Sequence, residues 1–318
     1  MNDKPEISID SISSYCKNAA FRPSAQYHSN GTSITSYQWN FPGANPSSSN
    51  SQNPAQIVYD SDGTYQINLE ASNACGTAKD SVSFTVHSLP TPTTTINKDT
   101  ICYGDSVILS AQGGYSFTWS PASSVAKPDN PTTKAIPTSS QVYTLEATDQ
   151  NGCKNLDSVS VHVNPKPNIQ IASFPDSICP GDTSLITASG ASSISFQSPA
   201  SLISNTSKSV YVSDTLDRPV YVTGIDSNGC SSTDTTLINV REKPELEITP
   251  SEPEICRNDS IHISVNGADY YGWYQNGTLI STQNFMDTSL QKSTTFIIKG
   301  VDNWGCEITD SVFIKVHD

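Results

Sequence analysis

The sequence predicts an all-β protein made of four small β-sandwich domains in tandem. Two observations carry this prediction. Eight cysteines recur with a period close to 77 residues, and short segments of alternating apolar and polar residues fill each period. A repeat of this length is long enough to form a domain, so the 318 residues divide into four units. The predicted domains are 1–89, 90–166, 167–243 and 244–318.

The cysteines set the phase of the repeat. Small domains bury little apolar area, so covalent cross-links add needed stability. No CxxC pair is present and the five histidines are scattered, which argues against zinc. The cysteines therefore predict disulfide bonds and an extracellular or cell-surface location. The first cysteines of the units are Cys16, Cys102, Cys179 and Cys256, and the second are Cys75, Cys153, Cys230 and Cys306.

Each unit also repeats the signals of individual strands. A proline-marked linker comes first, and a turn containing Gly or Asn follows the first cysteine, as in Cys102-Tyr103-Gly104-Asp105. In the later units the second cysteine closes a tight turn such as Asp149-Gln150-Asn151-Gly152-Cys153. Between them lies an aromatic residue of the kind that fills a sandwich core. These signals predict about seven strands per unit, and the core aromatics are Trp39, Trp119, Phe196 and Trp273.

Charge and motif content exclude several functions. The net charge is −14 with only 17 Lys and Arg, which argues against nucleic acid or an anionic membrane as a partner. No apolar run is long enough for membrane insertion. The sequence has no GxSxG or HExxH motif and no Cys–His arrangement that would activate a nucleophile. We therefore predict that the protein is not an enzyme. We also expect it, as a fragment of a larger protein, to be a monomer.

The first unit resembles a known family. Residues 37–44 read YQWNFPGA, Asn53-Pro54 follows, and residues 63–69 read GTYQINL. This pattern resembles the PKD domain, in the variant of secreted Bacteroidota proteins. Units two to four resemble the immunoglobulin-like (Ig-like) domains of the same proteins, in their Cys-x-Gly-Asp-Ser start, Trp119-Ser120-Pro121 and Asp-x-Asn-Gly-Cys turn. The resemblance implies a secreted or surface protein, such as an adhesin or a protein exported by the type IX secretion system.

The resemblance to Ig-like domains also implies which cysteines can meet. In such a sandwich the first cysteine lies at the end from which the chain leaves, and the second lies at the opposite end. A strand of about seven residues separates these ends by about 23 Å, whereas a disulfide allows Cα separations up to about 7 Å. In domains stacked end to end, the first cysteine of one domain faces the second of the next. The favoured inter-domain bonds are Cys16–Cys153, Cys102–Cys230 and Cys179–Cys306, with Cys75 and Cys256 unpaired.

One bond inside each domain stays open as the alternative. It holds if the first cysteine belongs to a strand with a different route through the sandwich. The alternative intra-domain bonds are Cys16–Cys75, Cys102–Cys153, Cys179–Cys230 and Cys256–Cys306.

Aspartates near the domain junctions are weak candidates for a calcium site. Carboxylates from two adjoining domains could hold the ion between them, although Asp side chains also cap turns of this kind. No other cofactor is predicted. The candidate pairs are Asp105 with Asp226 and Asp182 with Asp302.

Two surface features complete the candidate sites. Trp304 replaces the Asn of the sister turns and is either a platform for a glycan or a residue packed at a junction. Asp followed by Ser or Thr resembles the O-glycosylation signal of Bacteroidota, although the same residues begin strands of the repeat. The candidate acceptors are Ser81, Thr100, Ser106, Ser158, Ser177, Thr215, Thr235, Ser260 and Ser311.

Together these features predict a non-catalytic stalk, spacer or adhesion region of a larger secreted or surface-anchored bacterial protein. Proline linkers and disulfides would make it a semi-rigid rod whose partners are neighbouring domains of the same polypeptide. The alternative is a glycan- or protein-binding module appended to a secreted enzyme such as a protease.

Overall fold

The computed structural model describes residues 3–250 and 253–318. These residues form β-strands and connecting turns, with one 3-10 helix at Ala122–Ser124. The chain divides into two compact units, Met1–Asn164 (unit 1) and Pro165–Asp318 (unit 2). Each unit contains two of the predicted domains, numbered domains 1 to 4 in chain order.

Four hydrophobic clusters form the cores of the described residues, and each lies within one predicted domain. Trp39, Trp119 and Trp273 are almost fully buried, and Phe196 is 9% exposed at the equivalent place in domain 3. The predicted burial of these four aromatics is therefore confirmed. Each is paired with an apolar residue of the neighbouring long strand, and the partners are Leu69, Leu145, Ile298 and Val222 respectively.

Domain 1 has ten strands in its described residues, 3–89, and several of them are only two residues long. In its longest hairpin, Ile67, Leu69 and Ala71 point into the core while the residues between them are partly exposed, because side chains alternate along a strand. Its sheets have the orders β1-β4, β3-β8-β6 and β2-β10-β9-β5-β7. The strands are β1 (Glu6–Ile9), β2 (Tyr15–Cys16), β3 (Ala20–Phe21), β4 (Ala25–His28), β5 (Ser36–Asn40), β6 (Ala44–Asn45), β7 (Ser48–Ser49), β8 (Ile57–Tyr59), β9 (Gly63–Asn73) and β10 (Gly76–His87).

Domain 2 is a sandwich of seven strands, the number that the sequence predicts. One sheet has the order β11-β13-β15 and the other β12-β17-β16-β14. Val107, Leu109, Tyr143 and Leu145 are fully buried between the sheets. The strands are β11 (Thr93–Ile96), β12 (Thr100–Cys102), β13 (Val107–Gln112), β14 (Ser116–Ser120), β15 (Thr132–Ala135), β16 (Gln141–Thr148) and β17 (Lys154–Asn164).

Domain 3 repeats this plan with eight strands. Its sheets have the orders β18-β20-β23-β22 and β19-β25-β24-β21, and Val210, Val212, Val220 and Val222 are fully buried between them. The strands are β18 (Gln170–Phe174), β19 (Ser177–Ile178), β20 (Thr183–Ser189), β21 (Ser193–Gln197), β22 (Ser201–Asn205), β23 (Ser209–Ser213), β24 (Arg218–Ile225) and β25 (Ser231–Val240).

The part of domain 4 that the structure describes also has eight strands, in sheets ordered β26-β28-β31 and β27-β33-β32-β29-β30. Ile263, Val265, Ile298 and Ile314 are fully buried with Trp273. Tandem β-sandwich domains therefore account for the described chain, as the sequence predicts. The strands are β26 (Glu247–Thr249), β27 (Glu254–Cys256), β28 (Ser260–Asn266), β29 (Tyr270–Gln275), β30 (Thr278–Ser281), β31 (Phe285–Ser289), β32 (Thr294–Val301) and β33 (Glu307–His317).

Candidate functional site at the domain junctions

The first cysteine of every domain lies in a repeated local structure. A short strand brings it alongside the end of the last strand in parallel, so Cys16 lies opposite His87, Cys102 opposite Asn164 and Cys256 opposite His317. In domain 3, Ile178 lies opposite Val240 and Cys179 follows directly. The first cysteine therefore marks the end from which the chain leaves the domain. We call the four turns that begin here sockets 1 to 4, namely Cys16–Ala19, Cys102–Asp105, Cys179–Asp182 and Cys256–Asp259.

Every socket is closed by the same backbone hydrogen bond. The N–H of the fourth residue donates to the cysteine carbonyl at 2.9–3.0 Å, as in Asp182 to Cys179 and Asp259 to Cys256. The third residue adopts a positive φ, which is +91° at Gly181 and +69° at Asn258. Gly and Asn tolerate this conformation with little strain, which explains their recurrence at this position.

The second cysteine of domains 2 to 4 closes a different turn, which we call the cysteine turn (Asp149–Cys153, Asp226–Cys230 and Asp302–Cys306). In the first, Asp149 Oδ1 accepts hydrogen bonds from the backbone N–H groups of Asn151 and Cys153, both at 2.8 Å. The N–H of Asp149 donates to the Cys153 carbonyl at 2.9 Å. The turn comes directly before the last strand, so the second cysteine lies at the opposite end of the domain from the socket.

Disulfide bonds join a socket to the cysteine turn of the following domain. Cys16 is bonded to Cys153 with a Cα separation of 5.5 Å. Cys179 is bonded to Cys306 with a Cα separation of 5.3 Å. Both separations lie in the ordinary range for disulfides. These are two of the three inter-domain bonds that the sequence favours, and each lies within one unit. The third, Cys102–Cys230, stays a prediction.

The two bonds show that the intra-domain alternative is wrong. Each of its four pairs contains a cysteine that is bonded elsewhere. The physical reason is the length of the last strand. Domains 2 and 4 have 11-residue strands between the two cysteine positions, a distance of about 36 Å at roughly 3.3 Å per residue. The excluded pairs are Cys16–Cys75, Cys102–Cys153, Cys179–Cys230 and Cys256–Cys306.

Cys75 and Cys256 are free, and both are exposed. Cys256 lies in socket 4, whose backbone matches the occupied sockets. Cys75 lies in the two-residue loop between β9 and β10, where its N–H donates to the Asn73 side chain at 2.9 Å. The second cysteine of domain 1 therefore has a different setting from that of the other three domains.

Three glycines, one beside each linker, were not identified from the sequence. Gly113, Gly190 and Gly267 are spaced by 77 residues and have φ between +83° and +100°. A Cβ on Gly113 would lie 2.1 Å from the carbonyl oxygen of Thr91 in the preceding linker. A Cβ on Gly190 would lie 1.9 Å from the carbonyl oxygen of Asn168, and a Cβ on Gly267 would lie 1.8 Å from that of Glu245. The backbone therefore packs directly on the linker, and the period itself was the signal that could have revealed it.

Trp304 lies in the cysteine turn of domain 4, beside socket 3. Its side chain is 68% exposed, and the guanidinium carbon of Arg241 lies 4.8 Å from the ring centroid. With Cys179, Gly181 and Asp182 it lines a cavity of about 490 Å³. The ring thus contacts domain 3 through a cation–π pair, while most of its surface stays in solvent.

Each of the four calcium candidates takes part in a hydrogen bond of the turn that contains it. Asp302 Oδ1 accepts the N–H groups of Trp304 and Cys306 at 2.9 and 2.8 Å, and Asp226 binds its own turn in the same way. Asp105 Oδ2 lies 3.4 Å from the Cys102 N–H, and the Asp182 N–H closes socket 3. These bonds favour turn capping, and no cluster of metal-binding side chains occurs within residues 3–250 and 253–318. Calcium binding stays a prediction.

The glycosylation candidates lie mostly on the surface. Ser106 and Ser177 are half-buried and the other seven are exposed. In domains 1 and 2 the preceding aspartate also has a structural partner. Asp80 accepts the Ile9 N–H at 2.6 Å, and Asp157 accepts the Thr94 N–H and hydroxyl at 2.7 and 2.9 Å. The Asp-Ser pattern is thus partly a device that ties the first strand to the last, and glycosylation stays a prediction.

The sheets and junctions define the class of this chain as a tandem array of disulfide-linked β-sandwich domains. Residues 2–87 match the PKD domain family, so the resemblance of domain 1 to a PKD domain is confirmed. No curated protein sequence matches the chain. In the described ranges, no helix has the length and apolar character needed to cross a membrane.

Several solved structures align over the whole length of the chain. The N-terminal four Ig domains of Dscam1 isoform 6.9 align with 10% identity over 100% of both chains, with a TM-score of 0.23. The human desmocollin-1 ectodomain aligns with 10% identity over 99% of this chain and 80% of its own, with a TM-score of 0.29. The fold class rests on the chain's own sheets, because similarity at this level carries no further argument.

Proposed function

We propose that this chain is a non-catalytic stalk, spacer or adhesion region of a secreted or cell-surface protein, in which disulfides lock domain 1 to domain 2 and domain 3 to domain 4. The observation that carries the proposal is the pairing itself. Cys16–Cys153 and Cys179–Cys306 cross a linker instead of closing a domain. A bond across a linker restricts the motion of one domain against its neighbour, which is what a spacer requires.

Three further observations support this proposal. The glycines at the linkers allow the connecting backbone to pack directly against the following domain. Disulfides persist in oxidising compartments, which supports an extracellular location. The PKD match over residues 2–87, together with the sequence resemblance, supports an origin in a Bacteroidota protein exported by the type IX system.

Small-angle X-ray scattering before and after reduction tests the spacer function. We expect reduction to broaden the distribution of interatomic distances while the circular dichroism of the β-sheets stays unchanged, because the bonds restrain domains that are already folded. An unchanged scattering profile after complete reduction would contradict the proposal.

The alternative function is glycan or protein binding at Trp304. One observation favours it, since the ring is exposed beside a cavity that Asp182 and Arg241 also line. One observation opposes it, since Arg241 already covers part of the ring. A glycan array probed with the intact chain and with Trp304→Ala distinguishes the two functions. Binding that the substitution abolishes would establish the alternative, and we expect no such binding.

A further inference from the structure

Socket 4 has the structure of an occupied socket. The Asp259 N–H donates to the Cys256 carbonyl at 3.0 Å, the distance found for Asp182 and Cys179 in socket 3. Asn258 has the positive φ of Gly181. In sockets 1 and 4 the N–H after the cysteine also donates to the last strand, from Arg257 to the His317 carbonyl at 2.9 Å in socket 4. The backbone of socket 4 is therefore already arranged as it is where a disulfide has formed.

The occupied junction of unit 2 shows what a socket receives. Cys179 forms a disulfide bond with Cys306. The third residue of the cysteine turn, Trp304, contacts Arg241. Arg241 directly follows Val240, the partner of Ile178, so it stands beside Cys179 at the end of the last strand. In socket 4 this place belongs to His317, which lies opposite Cys256. Socket 4 thus has counterparts of the two residues that contact the cysteine turn in socket 3. Cys256 corresponds to Cys179, and His317 corresponds to Arg241.

The flanking side chains hold socket 4 in place without covering the thiol. His317 Nε2 lies 2.9 Å and Lys315 Nζ 3.2 Å from the Glu254 carboxylate. Arg257 pairs with the Asp318 side chain at 2.7 Å. Cys256 nevertheless remains exposed and free. An incoming turn would meet an accessible thiol on a pre-formed backbone, so little conformational order has to be gained on binding.

We propose that socket 4 is a docking site for the cysteine turn of a further β-sandwich domain of this repeat type, which follows domain 4 in a longer polypeptide and is bonded through Cys256. The partner is recognised by an Asp-x-x-Gly-Cys turn between its last two strands. Its third turn residue packs on His317. This inference rests on the proposed function, because it extends the same junction to a partner outside the chain.

The bond forms by thiol–disulfide exchange with a small disulfide oxidant, such as oxidised glutathione. One cysteine thiolate attacks the oxidant and releases a glutathione thiolate, and the second cysteine thiolate then attacks the mixed disulfide and releases the other. The two cysteines lose two protons and two electrons in total. The oxidant is reduced to two thiols.

Extending the chain tests the proposal. A second copy of residues 243–318, in which the copied cysteine is removed by Cys256→Ser, is added after Asp318. Asp318 then stands where Glu242 stands in the linker between domains 3 and 4, and the native Cys256 is the one residue of that number that iodoacetamide can label. In a buffer of oxidised and reduced glutathione, we expect a peptide that links Cys256 to Cys306 of the added copy. Iodoacetamide labelling of Cys256 should fall at least tenfold. The matched control carries Cys306→Ser in the added copy alone, and its Cys256 should stay fully labelled.

A second extension guards against an added domain that does not fold. It carries residues 166–243, whose cysteine turn ends at Cys230. Full labelling of Cys256 in both extended chains, with the Cys179–Cys306 bond intact, would overturn the docking proposal alone. Loss of the Cys179–Cys306 bond would overturn the proposed function instead. Disulfide-linked dimers of the unextended chain through Cys256 would also overturn the proposal, because they would identify a second copy as the occupant.

Discussion

Units 1 and 2 make the same covalent junction but differ in side-chain contacts at the junction and inside their domains. Both join a socket to the next cysteine turn, with Cα separations of 5.5 and 5.3 Å. Of the two cysteine turns that form these bonds, only Asp302–Cys306 carries an aromatic residue. This residue is Trp304, whose ring contacts Arg241. In unit 1, Asp80 and Asp157 tie the first strand of each domain to the last. The difference indicates that the disulfide is the shared requirement, while side-chain contacts vary between domains.

The largest expected effect comes from removing a junction disulfide. Replacing both Cys179 and Cys306 with Ser should lower the free energy of unfolding of unit 2 by about 2–4 kcal/mol, because the bond closes a long chain segment. Replacing Cys16 and Cys153 should have a similar effect on unit 1. Urea denaturation followed by intrinsic fluorescence measures both.

The matched control for these variants is Cys75→Ser, which removes a free and exposed thiol. It should leave the unfolding midpoint unchanged. A disulfide variant no less stable than this control would show that the bond does not support the junction. A loss confined to one unit would break the equivalence of the two junctions.

The second effect concerns the aspartates that distinguish the units. Asp157→Asn should cost about 1 kcal/mol, because its carboxylate accepts two hydrogen bonds from Thr94 at a partly exposed position. Asp310 is the matched control in domain 4, since its carboxylate binds only the adjoining Ser311 N–H among its described hydrogen bonds. Asp310→Asn should cost less. Thermal unfolding of both variants at neutral pH tests the ranking.

The Asp157 contribution should also depend on pH in a definite direction. The hydrogen bond from the Thr94 hydroxyl, followed by that from the Ser158 N–H, lowers the pKa of Asp157 below its ordinary value of 3.8. The stabilisation is therefore present above that value and is lost as the pH falls through the lowered pKa of the folded state. The stability difference between the native chain and Asp157→Asn should shrink across this acid range. A constant difference would contradict the assignment.

The smallest expected effect tests the aromatic contact of unit 2. Trp304→Asn gives the turn the residue that Asn151 supplies in unit 1, and it should cost about 0.5–1 kcal/mol through loss of the cation–π pair with Arg241. A double-mutant cycle with Arg241→Ala measures the coupling. Zero coupling would show that the ring contributes nothing to this junction.

Much of the junction could be predicted because its residues recur in phase. The spacing of the cysteines and core aromatics predicted the repeat. Strand length, together with the resemblance to Ig-like domains, favoured bonds between domains over bonds inside one domain. The distinct setting of Cys75 escaped prediction, because its short hairpin depends on the register between β9 and β10. The extra short strands of domain 1 also escaped, since two-residue pairings leave no periodic pattern.

The sequence by itself determined the β-sandwich class, the repeat and the core aromatics, because side-chain alternation and turn chemistry are local properties. Only the tertiary structure decided between the inter-domain and intra-domain pairings of the cysteines, and only it showed that Gly113 and its equivalents pack against the linkers and that Arg241 contacts the Trp304 ring. Each of these contacts joins residues that are distant along the chain. The positions of such residues depend on how neighbouring domains are packed, which no local pattern specifies.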